Sequence, residues 1–397
     1  MAIRSWKTRA ALKVYSIDML SVFCSPSRYT QGRNATASLG QEIVNLGLEG
    51  PALIVAGKSA IALLSGVWQS SLHAAGLTHS IFRFGGECSP LEIERGKAAA
   101  RQSDARIIIG AGGGKVLDTA RAVASDLNLP VVNCPTVASS DAPCSALSVV
   151  YTDEGAFQEY RIYRRNPDLV LVDTEVIARS PARLLVAGMG DALATWFEAK
   201  VCADGNVRNM RGGASTRSAL ALAELCYRTL LGDGVAALHA LQTQVVTSAL
   251  DRLVEANTLL SGLGFESSGL AAAHAIHNGL TAAAETHSFF HGEKVAFGVL
   301  VQLMMESTPR ALVEEVLEFS TSVGLPITFA DIGLASPGDE VLEQIARRGT
   351  AKGETIHNEP FKVSSAMVVE ALRAANDAGR DWKRKHRIEM STPTASS

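Results

Sequence analysis

The chain has 397 residues, 47% hydrophobic and 19% charged, which is an ordinary globular balance with enough length for two packed domains. Its formal net charge is −3 and it contains no basic block, so nothing speaks for nucleic-acid binding and small-molecule partners fit better. No apolar run approaches the roughly 20 residues needed to span a bilayer, so no membrane partner is expected, and the six cysteines contain no CxxC pair, which argues against a zinc ribbon, a redox motif or a disulfide framework and places the protein in a reducing, cytoplasmic setting.

Residues 1–18 carry Arg4, Lys7, Arg9 and Lys13 with no acid before Asp18, a pattern compatible with a short transit peptide. Met19 begins a self-sufficient segment, so 1–18 reads as a disordered extension outside the fold. From 51 to 175 short apolar runs alternate with helical patterns: PALIVAG, SIFRFGG, RIIIGAGGG, PVVNCPT and DLVLVDT are separated by segments with helical spacing. That rhythm predicts β-α-β units on a parallel sheet. Beyond about 178 strand-like runs nearly vanish, and segments such as ALALAELCYRTLL and ALVEEVLEFSTSVG repeat apolar residues at helical intervals. Ser180 and Pro181 mark the junction. The expected organisation is an α/β domain over 19–180, an all-α domain over 181–385 and a tail over 386–397.

The loop GAGGGKVLDTA at 110–120 follows a short apolar strand and opens a helix. Glycines there let a ligand approach the backbone, and first-turn N–H groups point outward, which makes a phosphate cradle. It fits neither GxGxxG nor the Walker loop, and a plain strand-to-helix turn would use the same residues. Lys115 and Asp118 would charge the helix start in either case. The segment CPTVASSDAPCSALSVVYTDEGAF at 134–157 reads on composition as a solvated loop. Beside a phosphate cradle its hydroxyls Thr136, Ser139 and Ser145 become donors and Asp141 an acceptor for a polyhydroxylated ligand.

GMGDALATWFEA at 188–199, LAAAHAIHNGL at 270–280 and FFHGEKVAFG at 289–298 carry Asp191, His274, His277 and His291. One aspartate with two histidines is an O,N,N set that suits a divalent metal and leaves a position open for substrate. Singly, Asp191 could cap a helix and each histidine could be a core residue. His274, His277, His287 and His291 crowd into 18 residues, which scattered packing roles do not readily produce. His274 and His277 share a helical face, so spacing does not decide between them.

These motifs together resemble the glycerol dehydrogenases of the iron-containing alcohol dehydrogenase and dehydroquinate synthase-like superfamily, from SPSRYTQG at 25–32 to about 383. The resemblance implies a dinucleotide-binding α/β domain followed by an all-α metal-binding domain. It assigns the metal to Asp191, His274 and His291, leaving His277 as a neighbour. Thr195 stands where related iron enzymes place another histidine, which favours zinc, one ion per subunit. The family's NAD contacts fall on Gly113, Gly114, Lys115, Thr136, Ser139, Ser145, Leu147 and Tyr151, Asp118 is expected on the cofactor side of the same helix start, and the family's substrate-contacting acid falls on Asp141. Large homo-oligomers, octamers by this resemblance, are implied.

One departure concerns the cofactor. Where the family's first strand ends in an aspartate that holds the adenosine ribose, this chain reads LIVAGKSA, with Gly57, Lys58 and Ser59. Loss of the carboxylate removes repulsion toward a 2′-phosphate and a lysine offers a donor, so NADP is expected to be accepted beside NAD. The implied reaction is oxidation of glycerol at C2 to dihydroxyacetone. No side chain stands out as general base, His277 being the one candidate, and water or a ribose hydroxyl is the alternative route for the proton. Two other readings share these motifs: a dehydrogenase for another vicinal diol or hydroxyketone such as 1,2-propanediol or hydroxyacetone, and a metal-dependent carbocycle synthase. The synthase needs basic residues for a sugar phosphate, in which 134–157 and 262–298 are poor. A metal or nucleotide sensor without turnover would also keep the motifs.

Overall fold

The computed structural model describes residues 19–387, so the expectations for 1–18 and for most of the tail fall outside the described residues. Among the described residues eight strands occur in the first half: β1 Tyr29–Gly32, β2 Ala52–Ala56, β3 His79–Arg83, β4 Ile107–Gly112, β5 Val131–Pro135, β6 Leu147–Tyr151, β7 Phe157–Ile162 and β8 Leu169–Asp173. Six form one parallel sheet in the order β1-β8-β5-β4-β2-β3, while β6 and β7 make a separate antiparallel hairpin. Strands β2, β4, β5 and β8 are buried along their whole length. This is why they read as unbroken apolar runs instead of alternating ones.

Helices α1 Leu39–Asn45, α2 Lys58–Ala74, α3 Pro90–Gln102 and α4 Gly114–Leu127 cover the sheet. Even positions of β2, such as Ile54 and Ala56, pack with Leu64, Trp68 and Leu72 of α2 on one face. Odd positions, Leu53 and Val55, pack with Ile93 of α3 and Val116 of α4 on the other. The pleat of period two thus sorts the residues between two helical layers. Because β3 lies on one side of β2 and β4 on the other, the strand order reverses at β2. In parallel α/β sheets the crevice at the carboxyl ends of the strands flanking such a reversal is where ligands bind. The edge strand β1 is a finding beyond the sequence expectation, which starts the strand rhythm at residue 51. Its four half-buried residues, YTQG, carry no apolar pattern, and their pairing with β8 alone makes them a strand.

The second half is helical: α5 Thr174–Ile177, α6 Ala182–Gly205, α7 Arg217–Gln242, α8 Ser248–Glu255, α9 Ser261–Ser268, α10 Ala272–Leu280, α11 His291–Met305, α12 Arg310–Val323, α13 Asp339–Gly349 and α14 Ser365–His386. Between α8 and α9 a π-helical turn spans Ala256–Leu260. Its apolar core is continuous with the sheet, since Val170 and Val172 of β8 join the same buried cluster as Leu185, Leu253 and Phe297. No helix of the described residues is long and apolar enough to cross a membrane.

Helices α6 and α11 touch backbone to backbone. A Cβ at Gly292 would lie 1.8 Å from the Ala187 carbonyl oxygen, and one at Gly190 would lie 2.3 Å from that of Gly292. Both neighbours are main chain, which cannot swing aside, so the helices would have to separate. Gly292→Ala is therefore expected to destabilise the fold by about 2–3 kcal/mol or more, read as a drop in Tm of several degrees. It should also lower divalent-cation affinity, because the displaced helix carries His291. An unchanged Tm would contradict the close packing.

Candidate metal and dinucleotide site

Asp191 lies in the third turn of α6 and is 1% exposed, so the capping role open to it from sequence does not apply. Its Oδ1 stands 3.3 Å from Nε2 of His274 and 3.1 Å from Nε2 of His291. One ligand atom from each residue falls within 4.8 Å of the others. His274 belongs to the first turn of α10 and His291 is the first residue of α11, so three helices converge on one point. This donor set, a carboxylate with two imidazole Nε2 atoms, is the type that holds a divalent transition metal. Burial alone would raise the Asp191 carboxyl, yet His291 and then His274 hold it well below the usual carboxylate range.

His274 and His277 face different partners. His274 turns to Asp191, whereas Nε2 of His277 meets Nδ1 of His291 at 3.1 Å and its Nδ1 faces Asn278 Oδ1 at 3.1 Å. Burial lowers the His277 pKa well below its ordinary value, with His291 adding to the effect.

Glu198 was not singled out in the sequence and is central here. Fully buried, it meets Nδ1 of His274 at 2.5 Å and accepts the backbone N–H groups of Ala271 and His274 at 2.8 and 3.0 Å. One carboxylate thereby fixes the imidazole tautomer, leaves Nε2 for a ligand role and anchors the start of α10. Asp191, Thr195 and Glu198 lie at i, i+4 and i+7, one face of a helix, which was the signal available. Arg183 and Glu293 were missed in the same way. Arg183 of α6 forks onto both Glu293 oxygens at 2.6 and 2.8 Å, and Glu293 accepts the Phe290 N–H at 2.7 Å, pinning the α11 start beside α6.

Asp141 comes from the loop after β5. Its backbone N–H donates to Asp191 Oδ2 at 3.2 Å, and Ser261 donates to its Oδ2 at 2.9 Å. Thr195 exchanges a hydrogen bond with Ser261 at 2.8 Å. Ser261 directly follows the π-helical turn, whose Asn257 donates to the carbonyls of Ala138 and Leu185 at 3.0 and 3.3 Å. Burial, then the Asp191 charge, push the Asp141 carboxyl well above its ordinary pKa.

The glycine loop opens α4 beside the loop that carries Asp141, a Cβ at Gly114 lying 3.9 Å from Ser140 Oγ. Gly113 caps α4 in extended backbone with no side-chain acceptor, so the N–H groups of Gly114 and Lys115 start the helix without intrahelical partners. A Cβ at Gly112 would come within 2.7 Å of Val116, which explains glycine there. The Thr136 N–H donates to the Gly112 carbonyl at 3.1 Å, tying the loop after β5 to the cradle. Lys115 pairs with Glu87 at 2.5 Å and lies 5.1 Å from the Tyr151 ring. Leu147 and Tyr151 bound β6, Ser139 is half-buried in the preceding loop, and Ser145 is buried. Asp118 does not face the cradle. It is buried, paired with Arg121, and accepts the Val149 N–H at 3.2 Å, while Arg121 donates to the carbonyls of Ala142 and Ser145 at 2.5 and 2.6 Å. Gly57 and Lys58 open α2 at the end of β2, on the other flank of the strand-order reversal.

Residues 26–174 match the iron-containing alcohol dehydrogenase family. The chain is 50% identical over 364 residues to a glycerol dehydrogenase of Citrobacter freundii, covering 92% of this chain and 99% of that one. It is 49% identical over 362 residues to a glycolaldehyde reductase of Halobacterium salinarum, covering 91% and 99%. The solved structure of a glycerol dehydrogenase from Schizosaccharomyces pombe superposes with a TM-score of 0.91 at 37% identity, covering 96% of each chain.

The role of Glu198 predicts that Glu198→Gln weakens divalent-cation binding by roughly 10–100-fold while the far-ultraviolet circular dichroism stays native. Metal titration with a competing chelator would measure it, and an unchanged affinity would exclude the orienting role.

Proposed function

Because the chain belongs to the iron-containing alcohol dehydrogenase family, we propose that this polyol dehydrogenase oxidises glycerol at C2 to dihydroxyacetone, with NAD or NADP as hydride acceptor. The observation that carries the reading is the meeting of Asp191, His274 and His291 at the cleft where Asp141 and the glycine loop also arrive. The glycerol dehydrogenase at 50% identity supports glycerol as substrate. The reading includes zinc as the metal, supported by the three-residue donor set and by Thr195 being engaged with Ser261. It also includes a cytoplasmic homo-oligomer, the compartment being supported by six free cysteines.

When bound, the cation supplies Lewis acidity that lowers the pKa of an alcohol oxygen, and the nicotinamide supplies the hydride acceptor. Asp191, His274 and His291 would hold the cation. Asp141, steadied by Ser261, holds a substrate hydroxyl and aligns C2, an orienting effect that can amount to several powers of ten in rate. Gly113, Gly114 and Lys115 offer N–H groups to the pyrophosphate, and Thr136, Ser139, Ser145, Leu147 and Tyr151 line the approach to the nicotinamide. Asp118 and Arg121 support that loop from behind. Both ring nitrogens of His277 are engaged, so water or a ribose hydroxyl carries the proton away. A second reading, reduction of a small hydroxyaldehyde or hydroxyketone, is favoured by the glycolaldehyde reductase at 49% identity.

Acceptance of NADP is supported by the surroundings of Gly57. Nothing lies within 4 Å of a Cβ placed there, and its φ of −76° suits any residue, so an aspartate would fit without disturbing the fold. Gly57→Asp is expected to shift the kcat/KM ratio toward NAD by at least about tenfold through like-charge repulsion, and an unchanged ratio would refute the proposal. The reaction itself is tested by following nicotinamide absorbance with glycerol, 1,2-propanediol and glycolaldehyde, before and after chelation and with zinc restored. Activity with glycerol that vanishes on chelation and returns with zinc is expected. Turnover confined to the aldehyde would support the second reading.

A further inference from the structure

We infer that Arg83 anchors a 2′-phosphate subsite, so that the dinucleotide this chain recognises best is NADP. The inference rests on the dinucleotide reading above and names the residue that would select within it.

The argument starts from strand register. Arg83, the last residue of β3, is the parallel partner of Ala56, the last residue of β2. Val55 and its partner Phe82 pack together on the α3 and α4 face of the sheet. Alternation then puts Ala56 and Arg83 on the opposite face, where Ala56 packs with α2. The guanidinium therefore leaves the sheet on the side where Gly57, Lys58 and Ser59 open α2. That is the flank of the strand-order reversal where the adenosine ribose lies in folds of this build.

Charge balance points the same way. Neighbouring cations are neutralised: Arg95 pairs with Glu92, Lys97 with Glu94 and Asp126, and Lys115 with Glu87. Arg83 and Lys58 have no ion pair or hydrogen bond among the described residues, and both are exposed. The first turn of α2 contains no acid, and nearby Glu92 is committed to Arg95 and the Gly85 N–H. Two unneutralised cations beside the start of a 17-residue helix form a setting for a dianion, to which arginine presents a planar bidentate fork. Gly57, open for 4 Å around its absent Cβ, leaves the room such a group requires.

An arginine on an edge strand can also serve only to block edge-to-edge pairing, a role that predicts no effect on nucleotide binding. Calorimetric titration of the full-length protein with ADP and with 2′,5′-ADP separates the two. Wild-type protein is expected to bind 2′,5′-ADP at least about tenfold more tightly than ADP, as one or two charge-assisted hydrogen bonds supply. Arg83→Gln should abolish most of that ratio and leave the ADP affinity within about twofold, because the side chain is exposed and ADP lacks the 2′-phosphate. Equal affinities in the wild type, or an unchanged ratio in the variant, would overturn the subsite and leave the dinucleotide reading intact. Failure of both nucleotides to bind would overturn both.

Discussion

Everything around the cleft answers to the buried carboxylate of Asp191. A charge so enclosed is tolerable only when donors meet it from fixed positions. They come from elements far apart in sequence: His274 on α10, His291 on α11 and the Asp141 N–H from the sheet domain. Each donor needs its own support. Glu198 orients His274, the Arg183 and Glu293 pair fixes the start of α11, and Ser261 steadies Asp141. The glycines that let α6 and α11 touch belong to the same requirement, because a wider spacing would carry His291 away from the carboxylate.

The acidic groups around α10 show how a helix start is used twice. Glu198 takes the N–H groups of Ala271 and His274, and Gln302 takes that of Ala273. The positive end of the helix is thus matched by side chains from α6 and α11, while the same turn presents His274 to the cleft. Glu359 closes the ring with a carboxyl pushed up to about 8 by burial, then by Glu306 and Glu198. Within this crowd of carboxylates Glu198 ties the His274 imidazole to α6.

Much of this was legible in the sequence, and the reason lies in periodicity. Strands β2, β4, β5 and β8 are buried on both faces and announce themselves as apolar runs, and the helical half repeats at 3.6 residues. Strand β1 was not legible, because YTQG becomes a strand only through β8. Histidines drew notice in the site because they are rare and clustered, whereas Glu198 looked like one more helical acid, although its position seven residues after Asp191 placed it on the same face. The pairing of Asp141 with Ser261 spans 120 residues, and no local pattern encodes such a contact. Asp118 illustrates the opposite difficulty: its place next to a glycine loop suggested the ligand side, and Arg121 one turn on was the sign that it is turned inward.

The π-helical turn at Ala256–Leu260 widens one turn of an otherwise α-helical rod just before Ser261. A π-helical turn accommodates an extra residue, and every residue after it is rotated by about 100° relative to a continuous α-helix. What brings the Ser261 hydroxyl to Asp141 is therefore the count of residues upstream as much as the serine itself. Deleting one residue from this turn would keep every side chain that touches the cleft and still swing Ser261 out of phase. For proteins of this build, an aligned serine is evidence of the same hydrogen bond only when the length of the preceding helix also agrees.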